Sequence, residues 1–168
     1  MSAPNGDKLA LLQRMAIFGG VREDGLAFLI QRARTVETRA GDYFFREGGS
    51  GGSAHVLERG RAVVLKVFEG HEHLLQDLEP GACFGEVALF DFGLRSASVR
   101  ATEDCVSLEL SARDLHALAG RSVEQFAIVY MNLGREVSRR LRLADERLFR
   151  VRVRSDRSAV DGYDFRPS

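Results

Sequence analysis

Apolar positions change their rhythm along this chain, and the changes mark its elements. In DKLALLQRMAIF, residues 7–18, Leu9, Leu12, Met15 and Ile17 recur at near-helical spacing, with Asp7 placed as an N-cap and Gly19-Gly20 as a stop. A second amphipathic helix is predicted over 23–34, where Leu26, Leu29, Ile30 and Ala33 share a face. From Thr35 to Leu110 the helical period gives way to short β-rich runs: TVETR, YFFRE, AHVLER, AVVLKVF, LLQDLE, SASVRAT and CVSLEL. Gly and Pro clusters separate them, so roughly eight short strands in a barrel or sandwich are expected. GEVALFD, residues 85–91, interrupts the strands and reads as a single helical turn.

The helical rhythm returns at Ser111. SARDLHALAG opens on an N-cap and closes on Gly120, and Ser122 with Gln125 offers a capping box for a longer helix. That helix carries Phe126, Tyr130, Leu133, Val137, Leu141, Ala144 and Leu148 at steps of three and four, a stripe long enough to meet a partner helix. Gly134 within it predicts either a close helix approach or a bend. Residues 149–168 are polar and Arg-rich without helical period and read as a loose tail.

Composition narrows the function. At 168 residues and 45% hydrophobic, the chain suffices for one well-buried core. Lys+Arg and Asp+Glu are both 24, so overall charge gives no reason to expect a polyanion or a membrane as partner. No apolar run is long enough to span a bilayer and the start lacks a signal-peptide pattern, which implies a cytoplasmic protein. Cys83 and Cys105 lack a close second thiol and read as buried free thiols. His71 and His73 flank Glu72 without a further ligand, and His55 and His116 stand alone. Neither a metal site nor an activated nucleophile for hydrolysis can be assembled, so no catalytic residue is assigned.

The stretch that carries chemistry is PGACFGEVALFDFGLRSASVRA, residues 80–101. A helical turn starting at Gly85-Glu86 would present unpaired N–H groups and a positive dipole end to an anion. Arg95, expected at the head of a strand, can supply a charged fork to phosphate oxygens. Ser96 can donate a hydroxyl, and Ala97 is small enough for its N–H to approach. Glu86 suits a sugar hydroxyl better than a phosphate. Phosphate and ribose hydroxyl together imply a nucleotide.

This stretch resembles the phosphate-binding cassette of cyclic-nucleotide-binding domains, the family of catabolite activator proteins, protein kinase A regulatory subunits and cyclic-nucleotide-gated channels. The turns Gly41-Asp42, Glu47-Gly48 and Gly60 agree with it, and the resemblance covers about residues 9–148. It implies an α+β fold: an eight-stranded antiparallel, jelly-roll-like β-roll (about 35–110) flanked by N-terminal helices and a long C-terminal helix (about 122–148), together a cyclic-nucleotide-binding domain over 1–148. The ligand would be cAMP or cGMP, with no cofactor beyond it. Glu86 would bind the ribose 2′-hydroxyl, Arg95 and Ser96 the cyclic phosphate, and the N–H groups of Gly85 and Ala97 would complete the cradle, with Phe84, Val87 and Ala88 beside them. Leu94, His55 and Gly52 depart from the family at positions where proline, an aromatic and an acidic residue are common.

Aligned on SRRLRLADE, residues 138–146, the resemblance places Ala144 and Asp145 where bacterial cAMP-dependent activators contact adenine with hydroxyl residues. Asp145 would suit the donors of guanine, and is equally read as a solvated helix residue. Residues 149–168 are too few for the winged helix-turn-helix of transcriptional relatives. Acidic residues interleave the arginines of 135–157, which argues against DNA as a partner. The expectation is a non-catalytic second-messenger receptor, homodimeric through its last helix and signalling to a protein partner. The alternative is a nucleotide-free interaction or dimerisation module of the same fold.

Overall fold

The computed structural model describes residues 5–89 and 93–160. Residues up to Leu133 form one unit and those from Gly134 another. In the first, α1 (Asn5–Gln13) is followed by a 3-10 turn (Ala16–Phe18), α2 (Glu23–Arg32) and eight strands, then α3 (Ala112–Arg121) and the start of α4 (Val123–Val160). The single helix expected over 7–18 is broken at Arg14, and Asp7 lies inside the first turn of α1 rather than capping it.

The strands are β1 (Arg34–Thr38), β2 (Tyr43–Phe45), β3 (Ser53–Arg59), β4 (Ala62–Phe68), β5 (His71–Leu78), β6 (Cys83–Phe84), β7 (Ser98–Ala101) and β8 (Cys105–Ser111). They form two four-stranded sheets, β1-β8-β3-β6 and β2-β7-β4-β5, and every pairing is antiparallel. This is the expected β-roll. β6 is the strand that hydrophobic periodicity could not supply, because two residues carry no period.

Alternation along β3 divides the interior. Leu57 joins Ala62, Leu78, Phe84, Val99, Ala101 and Cys105 inside the roll. Its neighbour Val56 points the other way and packs with Leu108 and Leu110 of β8 against Leu12, Phe18, Leu26, Leu29, Leu115, Leu118, Val129 and Leu133 of the helices. Both thiols are free and Cys105 is buried, as expected, whereas Cys83 on β6 is only half-buried.

The helix ends show where local rules yield to tertiary contacts. Ser111 and Asp114 form a reciprocal capping box at α3. At α4, Ser122 Oγ accepts from Gln125 N at 3.3 Å, but the Gln125 side chain does not complete the expected box. It is fully buried, accepts from Arg22 N at 3.0 Å and donates to Asp24 at 3.4 Å. It thus satisfies a main-chain donor at the start of α2. Asn132 likewise donates to the carbonyls of Ile17 and Gly19. A Cβ on Gly25 would collide with Gln125 Oε1 and lie 2.9 Å from its Cδ. Gly25→Ala is therefore expected to lower unfolding free energy by about 2 kcal/mol, through overpacking or a lost buried hydrogen bond. A thermal melt unchanged to within a degree would refute this coupling.

α4 continues to Val160, beyond the end its apolar period suggested. No Gly or Pro interrupts residues 135–160, and Glu146 pairs with Arg150 one turn on at 2.8 Å, so helix persists where amphipathicity stops. Within its stripe Val129 and Leu133 are buried, and Phe126 and Tyr130 pack partly buried on the core. α4 runs through Gly134 without interruption, and a Cβ there would meet nothing within 4 Å in the same chain.

Candidate functional site

Arg95 dominates the site because it is a charge with only 6% of its surface exposed. Its main chain is pinned by the glycine turn, with Gly48 N donating to Arg95 O and Arg95 N donating to Gly49 O, both at 2.8 Å. Arg95, Ser96 and Ala97 precede β7 instead of heading the strand. The guanidinium lies 3.9 Å above the Phe45 ring. Nη1 donates to the carbonyls of Ser53 (2.7 Å) and Gly85 (3.0 Å), and Nη2 donates to Ser53 Oγ at 3.0 Å.

Guanidinium carries five N–H groups, and these bonds use three. The bonds to Ser53 occupy the edge shared by Nη1 and Nη2. That leaves the edge formed by Nη2 and Nε, and Nε is buried with no hydrogen-bond partner among the described residues. Two parallel donors on one edge match two oxygens of a phosphate or carboxylate. Burial pulls the Arg95 pKa down and Glu109 pushes it back up, without threatening its charge.

Gly85 is required by two features at once. Its φ is +75°, and a Cβ would stand 2.6 Å from Arg95 Nη1 and 3.1 Å from the Phe45 ring. Glu86 begins a 3-10 turn, Glu86–Leu89, and is 1% exposed. At four residues this turn is too short for a developed macrodipole, so Arg95 is the principal positive charge, a shift from the helix-terminus expectation. Phe84 is buried on β6, and Val87 is exposed on the turn beside Ala88. Phe90 and Asp91, the end of the expected turn, lie outside the described residues. Ser96 is exposed and its carbonyl accepts from Lys66 Nζ at 2.7 Å; Lys66 also pairs with Glu47 at 2.6 Å.

Phe84, Gly85, Glu86, Arg95, Ser96 and Ala97 thus sit on two segments that Arg95 ties together. Asp145 is exposed on α4, in the unit that begins at Gly134. Sequence reasoning missed Phe45, Ser53, Lys66 and Glu109, which touch or support Arg95 and Ser96 from β2, β3, β4 and β8. It also took His55 for an isolated residue. His55 is 4% exposed, stacks on Phe84 at 5.2 Å with rings 8° apart, and meets Phe44 and Phe45 edge-on or tilted. Nδ1 is 3.2 Å from Ser107 Oγ, and Nε2 is 4.0 Å from Glu109. Burial lowers its pKa to about 4, against the opposing pull of Glu109. The apolar run Ala54, Val56 and Leu57 around it was the available signal.

Comparison with known proteins follows the same residues. The model of the cyclic nucleotide-binding domain matches residues 35–122. Over 98 residues the chain is 33% identical to cGMP-dependent protein kinase 2 of Homo sapiens, covering 57% of this chain and 13% of the kinase. Over 106 residues it is 36% identical to the cyclic AMP receptor protein of Thermus thermophilus, covering 62% of this chain and 47% of that protein. The chain therefore spans an eighth to a half of these relatives. The crystal structure of the Thermus thermophilus catabolite activator protein superposes with a TM-score of 0.73 at 31% identity, covering 81% of this chain and 62% of that one.

Proposed function

The chain belongs to the cyclic-nucleotide-binding domain family, and from that premise we propose that it is a non-catalytic receptor for a 3′,5′-cyclic mononucleotide, cAMP or cGMP. The observation that carries this reading is the edge of Arg95: a buried guanidinium, fixed by three hydrogen bonds, whose Nε–H has no partner among the described residues. Such a donor costs free energy unless an anion takes it. The cyclic phosphate would lie against this edge, with Ser96 and the N–H groups of Gly85 and Ala97 completing its contacts. Glu86 would accept from the ribose 2′-hydroxyl, with Phe84, Val87 and Ala88 as neighbours. The relatives' names supply both nucleotides, and Asp145, an acceptor-only carboxylate, would favour guanine.

We also assign α4 as the output element. Gly134, Val137, Leu141, Ala144, Leu148 and Val151 occupy alternating a and d positions of a heptad, and Leu141, Leu148 and Val151 are each about 60% exposed. Two copies would cover that seam in a parallel homodimer, and nucleotide binding would alter what the pair presents to a protein partner. Among the described residues no helix is long and apolar enough to cross a membrane, which fits a cytoplasmic receptor.

Calorimetric titration with cAMP and cGMP tests the reading. One site per chain is expected, and a nucleotide present at a hundredfold its Kd should raise apparent stability by about 2.7 kcal/mol. No heat from either nucleotide, with an unchanged melting temperature, would overturn it in favour of a nucleotide-free interaction module.

A further inference from the structure

Arg95 can present its Nη2–Nε edge to a ligand only if the adjacent Nη1–Nη2 edge is held, and a single residue, Ser53, holds that edge by both its carbonyl and its hydroxyl. A serine hydroxyl has one proton and can donate or accept. Toward Arg95, which has only donors, it must accept. Its proton therefore has to go elsewhere, and the strand register brings Glu109 of β8 diagonally across from Ser53.

Glu109 is built into that place. It stands opposite His55 of β3 and Arg34 of β1 in the sheet register, and Ser53 lies two residues from His55 on the same face of β3. Arg34 fixes one carboxylate oxygen from Nη2 at 2.8 Å and Nε at 2.9 Å, while His55 Nε2 approaches the other at 4.0 Å. Burial would raise the Glu109 pKa, but the Ser53 hydroxyl, Arg34 and His55 more than offset it and keep the carboxylate ionised. Gly52, beside Ser53, offers no side chain that could do the same.

We propose that Ser53 and Glu109 act together as positioning residues for Arg95: Glu109 takes the Ser53 hydroxyl proton, so the hydroxyl oxygen faces Nη2 and the Nη2–Nε edge is aimed at the ligand's phosphate. Neither residue touches the nucleotide. This rests on the receptor reading above for its consequence in binding, and on the Arg95 contacts alone for its geometry.

The two roles open to Glu109 predict opposite signs. A carboxylate acting only as a nearby negative charge would repel phosphate, and its removal would tighten binding. Acting through Ser53, its removal loosens Arg95 and weakens binding. Glu109→Gln should lower affinity for the preferred nucleotide about fivefold, and Ser53→Ala about tenfold. Combined, they should be no worse than Ser53→Ala, because the path is shared. Ser53→Thr keeps the hydroxyl and should stay within about twofold of wild type, while thermal melts confirm folding of each variant.

Unchanged or tighter binding by Glu109→Gln, or additive losses in the double variant, would overturn the proposal. A second readout needs no nucleotide. In the free protein the Arg95 guanidinium N–H groups should give slowly exchanging resonances in 15N NMR, lost in both Ser53→Ala and Glu109→Gln. If wild type binds neither nucleotide, the receptor reading fails and these resonances decide the positioning role. If they persist in the variants, the positioning role fails while wild-type binding leaves the receptor reading intact.

Discussion

Arg95→Lys is expected to weaken cyclic-nucleotide binding by at least a hundredfold, and Arg95→Ala by about a thousandfold. Each charge-assisted hydrogen bond from a buried donor contributes roughly 1.5–3 kcal/mol, and the Nη2–Nε edge supplies two in parallel. Lysine keeps the charge but replaces the planar fork with a compact ammonium, so it recovers the electrostatic part and loses the bidentate geometry. It would also lose the flat contact with Phe45, 3.9 Å away. Calorimetry on both variants checks this, with melting curves to show that they fold. An Arg95→Ala protein that binds within tenfold of wild type would remove Arg95 from the site.

The second large effect is on stability and comes from His55. Its folded pKa is about 4 against an ordinary value of 6.5, so between these values the unfolded chain binds the extra proton and the folded one does not. Unfolding free energy must therefore fall as pH drops from about 6.5 toward 4, by about 3 kcal/mol in total from this group, and level off above neutrality. The groups facing the imidazole are Ser107 and Glu109 on β8, Arg34 on β1, Arg95 and the rings of Phe44, Phe45 and Phe84. Of these only Glu109 favours the charged form, and burial outweighs it.

His55→Phe should be less stable than wild type at pH 7 by about 1 kcal/mol, since the fully buried Ser107 hydroxyl loses its partner. Near pH 4.5 the order should reverse. Urea unfolding at both values measures this. Parallel pH profiles for the two proteins would show that His55 is not the group responsible.

Much of the architecture was legible because its elements are long or punctuated. Helical stripes, glycine turns and alternating strands gave the roll and its flanking helices. What failed did so for identifiable reasons: β6 is too short to show a period, Arg14 breaks a helix that spacing alone would continue, and Gln125 leaves its own helix cap for a distant backbone. In the site, residues adjacent in sequence were found and those contributed by other strands were not. Gly85, Glu86, Arg95 and Ser96 share one stretch of chain, whereas Phe45, Ser53, Lys66 and Glu109 come from four separate strands. No spacing rule connects them, and each looks like an ordinary strand residue until the register is known.

The contact between Gly25 and Gln125 bears on how this fold can diverge. The amide occupies the volume that any side chain at position 25 would need, so the two sites form a single steric unit though far apart along the chain. Descendants of this sequence can gain an alanine at 25 only after, or together with, a shorter residue at 125. Substitutions at the two positions should therefore appear as a correlated pair in a large alignment, with glycine accompanying the long amide. A pattern of that kind would register the docking of α2 on the start of α4 as an inherited constraint.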